Sequence, residues 1–324
     1  MAIDNHFMQK KVLQAKQLIV AFCVSTNMPY VICDPVSFED QVWIFSDEEG
    51  FREFAERFAA KKLILRGLTI QKNNYPAFFA SLLPIGITEI VFTENGASAK
   101  IPLDQFVKKQ DMSAVPVLRR PLENPTLQLT GIYLMQEVKR QVPNEEKDDL
   151  ASLNEEFLIN LARSRFLMPI ELKSGPGTPE EKIRKGQVGF VNINTKNGDS
   201  FRPIFSDTFE FNKFKQKKNF QAVTLPFAGL KQAMPKDVKG YIMNPVGCSV
   251  VITTQLIDQV LKNFPEEVQK GAEETRKLLE AQTAAARAAV KAPVKAPVKA
   301  PVKAPVNAPL AGNHSKITKM PEKK

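Results

Sequence analysis

The sequence predicts an α+β fold made of two tandem homologous domains, each a small mixed or antiparallel sheet with packed helices, followed by a disordered basic C-terminal tail. Three observations predict it. Residues 44–54 read IFSDEEGFREF and residues 204–214 read IFSDTFEFNKF, so an identical Ile-Phe-Ser-Asp is followed at equal spacing by two phenylalanines in each copy. Strand-like runs with hairpin turns sit beside segments of helical apolar spacing, the pattern of a sheet with helices packed on it. Residues 291–306 read KAPVKAPVKAPVKAPV, where a proline at every fourth position forbids a continuous α-helix and favours an extended chain.

Each element follows from its residues in order. The first domain, 1–110, opens on a helix read through Val12, Leu13, Lys16, Leu18, Ile19 and Phe22. The second, 151–262, opens on one read through Phe157, Leu158, Leu161 and Phe166, with Ser152 and Glu155 spaced for a capping box. Extended chain is expected after Met28-Pro29 and after Met168-Pro169. Residues 188–205 form a hairpin whose turn is Lys196-Asn197-Gly198-Asp199, and a shorter hairpin is expected between Tyr30 and Phe45.

The shared motif then closes a strand with Ile-Phe and starts a helix with Ser-Asp. Ser46 with Glu49 fits S-x-x-E, and Asp207 or Ser206 caps the second helix. Phe51 and Phe54, like Phe211 and Phe214, stand three apart on one helical face and should bury against the sheet. A last strand, Glu89–Phe92 or Gly240–Met243, leads through a turn containing Gly96 or Gly247 into another strand and a short helix. The matched blocks lie 140, 160 and 151 residues apart, so insertions fall between them, in loops. Residues 111–150 connect the domains and include a helix after Pro125. Residues 263–290 form a C-terminal helix, and 291–324 the tail.

Composition excludes several chemistries. Of 324 residues only two are histidine, His6 and His314, one near each end. A Ser-His-Asp hydrolase, a His-ligated zinc enzyme and a Cys-His protease each need a histidine inside a fold. The net charge is +10, but residues 288–324 hold eight Lys and one Glu, which leaves +3 on the rest: a near-neutral body with a basic tail. Cys23, Cys33 and Cys248 are too few and too far apart for a disulfide framework or a zinc knuckle. Each lies in an apolar run and reads as a reduced core thiol. The longest relevant apolar stretch, Leu18–Val24, is seven residues. Asp4 before it, polar Ser25-Thr26-Asn27 after it and the lack of an A-x-A site argue against a signal peptide and for a cytoplasmic protein.

The motif at Ile44–Phe54 and Ile204–Phe214 resembles the SseB (enhanced serine sensitivity) family, in which a similar strand leads into a helix with spaced aromatics. Two further segments share the resemblance: Ile242-Met243-Asn244-Pro245-Val246-Gly247, and Arg163–Leu172 (RSRFLMPIEL) at the opening helix and strand. It covers 155–260 well and 28–107 more loosely, because Thr93-Glu94 stands where the second copy has Asn-Pro. The resemblance implies a small domain, usually bacterial and cytosolic, and no catalytic residues to carry over.

The candidate interaction or structural motif is therefore Ser46, Asp47, Phe51, Phe54, Ser206, Asp207, Phe211, Phe214, Asn244, Pro245 and Gly247. Asp47 and Asp207 are the only acids repeated within an identical motif. A cation or a basic peptide would suit them, yet a strand-to-helix junction asks for the same residue as a cap, and capping is the reading adopted. Gly175-Pro176-Gly177-Thr178-Pro179 lacks the signature of a phosphate loop, and its prolines remove N–H donors. Lys213, Lys215, Lys217 and Lys218 form a local basic cluster, read as a solvated face. No catalytic residue, cofactor or metal is assigned. The expected function is a non-enzymatic interaction module with a protein partner and no membrane span. Two alternatives stand beside it: a thiol-dependent transferase using Cys248 beside the Gly247 turn, and weak, non-specific polyanion tethering through the tail.

Overall fold

Helical spacing gives way early to a continuous apolar run, and the first boundary falls there. Helix α1 (Asn5–Gln14) stops before Ala15, and strand β1 (Gln17–Cys23) follows. Leu18 to Ala21 are all buried. The expected helix through Phe22 is thus corrected: Leu-Ile-Val-Ala-Phe suits a strand buried on both faces better than an amphipathic helix. The computed structural model describes residues 5–116, 120–215 and 220–291. The chain divides into two compact units, 1–283 and 284–324, and of the second only residues 284–291, the end of one helix, are described. The tail from 292 onward, like Lys217 and Lys218, lies outside the described residues.

The first lobe continues with β2 (Met28–Pro29), β3 (Val31–Cys33), β4 (Asp40–Phe45), α2 (Glu48–Ala59), β5 (Leu65–Gln71), α3 (Tyr75–Leu82), β6 (Glu89–Glu94) and β7 (Ala97–Pro102). β1 pairs antiparallel with β5 along its length and with the end of β4. β4 runs parallel to β6, and β6 antiparallel to β7. Helix α4 (Pro125–Val138) follows, with proline at its first position, where no N–H is needed.

The second lobe contains α5 (Leu150–Arg163), β8 (Arg165–Leu172), α6 (Pro179–Arg184), β9 (Val188–Phe190), β10 (Ile193–Asn194), β11 (Ser200–Ile204), α7 (Thr208–Lys215), β12 (Gln221–Pro226), α8 (Phe227–Ala233), β13 (Gly240–Met243), β14 (Val250–Thr253) and α9 (Thr254–Asn263). Helix α10 (Pro265–Lys291) ends the described chain. β8 pairs antiparallel with β12 and meets the end of β11 through the Leu167–Phe205 bridge. β11 runs parallel to β13, and β13 antiparallel to β14. The succession of pairings β5-β1-β4-β6-β7 therefore recurs as β12-β8-β11-β13-β14.

Two details depart from the sequence reading. Met28-Pro29 is the short β2 against the end of β1, whereas Met168-Pro169 lies inside β8 opposite Val223 and Ala222. The two Met-Pro pairs occupy different places, and β8 answers to β1. Helix α5 begins at Leu150, one turn before the expected capping box, after Asp149 in a left-handed conformation (φ 40°), and ends at Arg163, so Phe166, read as helical, lies in β8. The hairpin turn is as expected: Thr195 N–H donates to Asp199 O, and Gly198 N–H to Thr195 O. Only its arms β10 and β11 pair together, because β9 joins β8 instead.

Helix α4 serves both lobes. Ile132 belongs to the core formed by Leu18, Val20, Ile44, Phe79 and Phe92, while Leu127 and Leu134 belong to the core of Phe157, Phe166, Ile204 and Tyr241. Its side-chain amide at Gln136 pairs with both the N–H and C=O of Val31, each at 3.0 Å. Its buried residues, apolar and polar, therefore face both cores. The linker segment is thus the spine on which both lobes pack.

Candidate functional site

The site is the pair of strand-to-helix junctions. Phe45 ends β4 and Phe205 directly follows β11, and each meets the two phenylalanines of the following helix. Ring centroids of Phe45 lie 5.8 and 5.2 Å from Phe51 and Phe54; those of Phe205 lie 5.5 and 5.2 Å from Phe211 and Phe214. Three aromatics so placed anchor the helix start to the sheet. Phe54 and Phe211 are buried, and Phe51 and Phe214 half-buried.

Both aspartates cap their helices. Asp47 Oδ1 accepts from Gly50 N–H at 2.9 Å, and Asp207 Oδ1 accepts from Glu210 N–H at 2.8 Å. In each copy the serine hydroxyl lies 2.7 Å from the second carboxylate oxygen and donates to it. Ser46 is therefore not the cap; it props the residue that is. The hydrogen bonds from Gly50 and then Ser46 hold the Asp47 carboxyl below its ordinary range.

Beyond the caps the junctions diverge. Ser46 N–H donates to the backbone oxygen of Thr93 at 3.1 Å, an extension of the parallel ladder. At the matching position Asn244 is fully buried with φ 51°, and the β13–β14 ladder stops at Met243 because the chain turns there. Pro245 next to it has no N–H to continue pairing. The Asn244 side chain replaces the lost backbone partner: Oδ1 accepts from Ser206 N–H at 3.0 Å, and Nδ2 donates to Ser206 Oγ at 2.8 Å and Gln128 Oε1 at 3.2 Å. Gln128, on α4, donates to Asp207 Oδ2 at 2.7 Å. Asn124 Nδ2 adds contacts to the carbonyls of Arg165 and Ser206. The result is a closed, buried polar network joining β11, α7, the β13 turn and α4.

Glu210 sits at its edge, wholly buried. Lys213 Nζ reaches Glu210 Oε1 at 2.6 Å, while Oε2 has no hydrogen-bond partner among the described residues. Burial outweighs Lys213 and raises this carboxyl above its ordinary value. The position answers to Gly50 in the first lobe. Gly247 leaves room for the carboxylate, since a Cβ there would lie 2.5 Å from Oε2. Sequence reasoning missed Gln128, Asn124 and Glu210: two lie on the linker, outside the repeat, and the third falls where the copies differ.

Cys248 packs in the first-lobe core at 3% exposure, with Sγ 3.9 Å from Gly131 O. Burial pushes its thiol up to about 12, the opposite of what a thiol nucleophile needs. This setting favours the core-thiol reading of Cys248 over the alternative of a reactive thiol. Cys33 is exposed rather than core, and Cys23 is buried as expected. Among the described residues no group of three His, Cys, Asp or Glu is placed to hold a metal ion, and no helix is long and apolar enough to cross a membrane.

No curated protein matches the chain. Among solved structures it aligns with one titled Anabaena Tic22 (protein transport), at 10% identity over 72% of this chain and 88% of that one. The TM-score of 0.17 carries over neither fold nor function. The family comparison falls on the junction just described: residues 147–259, which hold Ser206, Asp207, Asn244 and Gly247, match the family model of the SseB protein N-terminal domain.

Proposed function

We propose that the protein is a non-enzymatic interaction module made of two copies of one domain fastened to a shared helix. The recurrence of the strand pairings and of the Phe-Ser-Asp junction supports the duplication. One observation carries the non-catalytic reading: the buried polar groups of the second junction are consumed internally. Both Asp207 oxygens are filled by Ser206, Gln128 and the Glu210 N–H, and Asn244 has all its contacts within the same network. A group so occupied holds elements together and has nothing left for a substrate.

The surface offered to a protein partner is the outer edge of β5. Among the described residues β5 pairs only with β1, so its other edge presents free backbone groups. Beside it a groove of about 380 Å³ runs between β5 and α2, lined by Phe51, Ala55, Ile64 and Leu65, with Glu48 and Glu56 outnumbering Arg52 on the α2 wall. An extended partner segment carrying apolar and basic side chains fits an open edge beside such a groove.

Selection of a displayed peptide library on the full chain tests this. Enriched peptides should be extended, apolar and basic, and should lose binding to Ile64→Glu but not to Val251→Glu, a control at an exposed site on β14. No enrichment, or indifference to Ile64→Glu, overturns the surface assignment. Turnover of a metabolite by purified protein that disappears in folded Asp207→Asn overturns the non-catalytic reading.

A further inference from the structure

A second pocket, of about 480 Å³, lies between the strap Arg120–Glu123, the end of β12 and helix α10. Three arginines line it: Arg120 from the strap, Arg165 from the start of β8 and Arg276 from α10. Arg165 is the unusual one. It is half-buried, and among the described residues its side chain has no ion pair and no hydrogen bond; only its backbone carbonyl is engaged, by Asn124. Desolvation lowers its guanidinium from the ordinary value, with Glu274 felt only at a distance. A guanidinium withdrawn from water without a partner is costly unless something completes it.

Its neighbours point the same way. Arg120 is oriented by the carbonyls of Val115 at 2.8 Å and Ser113 at 3.1 Å, neither of which neutralises it. Arg276 meets Glu280 at 3.7 Å on an exposed helix face, too long for a firm hydrogen bond. The pocket's own acid, Glu123, is taken by Lys109 at 2.7 Å. Pro121, Leu122, Pro226 and Leu278 give the remaining wall an apolar stretch, beside Thr224 and Thr275. The volume falls in the range of small-molecule sites, about 300–1,000 Å³.

We propose that this pocket binds a small organic oxyanion with an apolar body, a carboxylate or a phosphate monoester, anchored by Arg165 with Arg120 and Arg276 closing around the charge. The planar forks of guanidinium groups match both oxyanions in the same way, and the apolar wall takes the rest of the molecule.

Calorimetric titration of the full chain with phenylacetate, phenyl phosphate and uncharged benzyl alcohol tests the site and separates the two oxyanions. At least one acid should bind and the alcohol should not. Arg165→Gln should weaken binding by about tenfold or more, the loss of one charge-assisted pair. Arg165→Lys should fall between, and Arg184→Gln, on exposed α6, should bind as the native chain does. Should Arg165→Gln fail to fold by circular dichroism, Arg276→Gln, at a position 70% exposed, carries the test with a smaller loss. Absence of binding by both acids at millimolar concentration overturns the proposal. So does equal binding of the alcohol, or undiminished binding in whichever of the two variants folds.

Discussion

Single side chains in this protein are best told apart by what surrounds them, and the three cysteines show it. Cys33 is exposed, whereas Cys23 and Cys248 are buried. Iodoacetamide at neutral pH should label Cys33 in the folded chain, with Cys23 and Cys248 reacting only after denaturation, as read by peptide mass spectrometry. Glu210 makes a second case. Its carboxyl is raised in the fold, so the folded state holds the proton more tightly than the unfolded chain does. The stability it contributes is complete below the ordinary Glu value and lost as pH rises through the raised one. Glu210→Gln keeps the shape and removes that loss, and Lys213, 28% exposed, remains in reach of water. Chemical denaturation should show the variant equal to or about 1 kcal/mol more stable at neutral pH, with a flatter profile above the ordinary Glu value.

At the scale of elements, one motif does two jobs of unequal weight. Each aspartate caps its helix and receives its serine hydroxyl; Asp47 is exposed, whereas Asp207 is buried and also receives Gln128. Asp47→Ala should cost about 1 kcal/mol, the usual loss of a helix cap. Asp207→Ala leaves the Gln128 amide and Ser206 hydroxyl unpaired in the interior and should cost about 3 kcal/mol. Urea unfolding of the two variants gives the ratio, and equal losses would mean that the buried network adds nothing to the cap. The strands β6 and β13 make the same point from the backbone side. In the first lobe Asn95 and Gly96, both at positive φ, let the hairpin ladder continue to Glu94 and Ala97. In the second, Asn244 turns early and its side chain does the pairing.

Across the whole molecule, α4 decides whether the lobes behave as one body. It supplies Ile132 to one core and Leu127 and Leu134 to the other. Residues 5–283 should therefore unfold in one cooperative transition. Ile132→Ala, at a fully buried site, should lower the stability of both lobes together by about 2–5 kcal/mol. Hydrogen exchange read separately for β4 and β11 checks this; loss of protection in β4 alone would mean that the lobes are independent. The charge distribution carries a prediction of its own. Residues 288–324 hold +7 of the net +10, with no aromatic side chain for stacking. Any DNA binding should be sequence-independent and steeply salt-dependent, and removal of 288–324 should abolish most of it in a mobility-shift titration. Equal binding by the shortened chain would place the basic surface on the body.

The sequence by itself determined the α+β class, the two Phe-Ser-Asp junctions, the hairpin at Thr195–Asp199, the helix after Pro125 and the match to the SseB domain. Each rests on local spacing: a turn residue, a cap, a pair of phenylalanines three apart. It misread 17–22 as helix because an apolar run short enough for a strand has no period of its own to separate the two. Only the tertiary structure decided which cysteine meets solvent, which aspartate is buried and which arginines share a pocket. It alone brought Gln128 from the linker to Asp207 and Asn244, residues 79 and 116 positions away. The physical reason is common to all of these. A cap or a turn is stabilised by neighbours along the chain and leaves its pattern there. Burial, desolvation and a closed hydrogen-bond network depend on groups that meet only after the chain has folded.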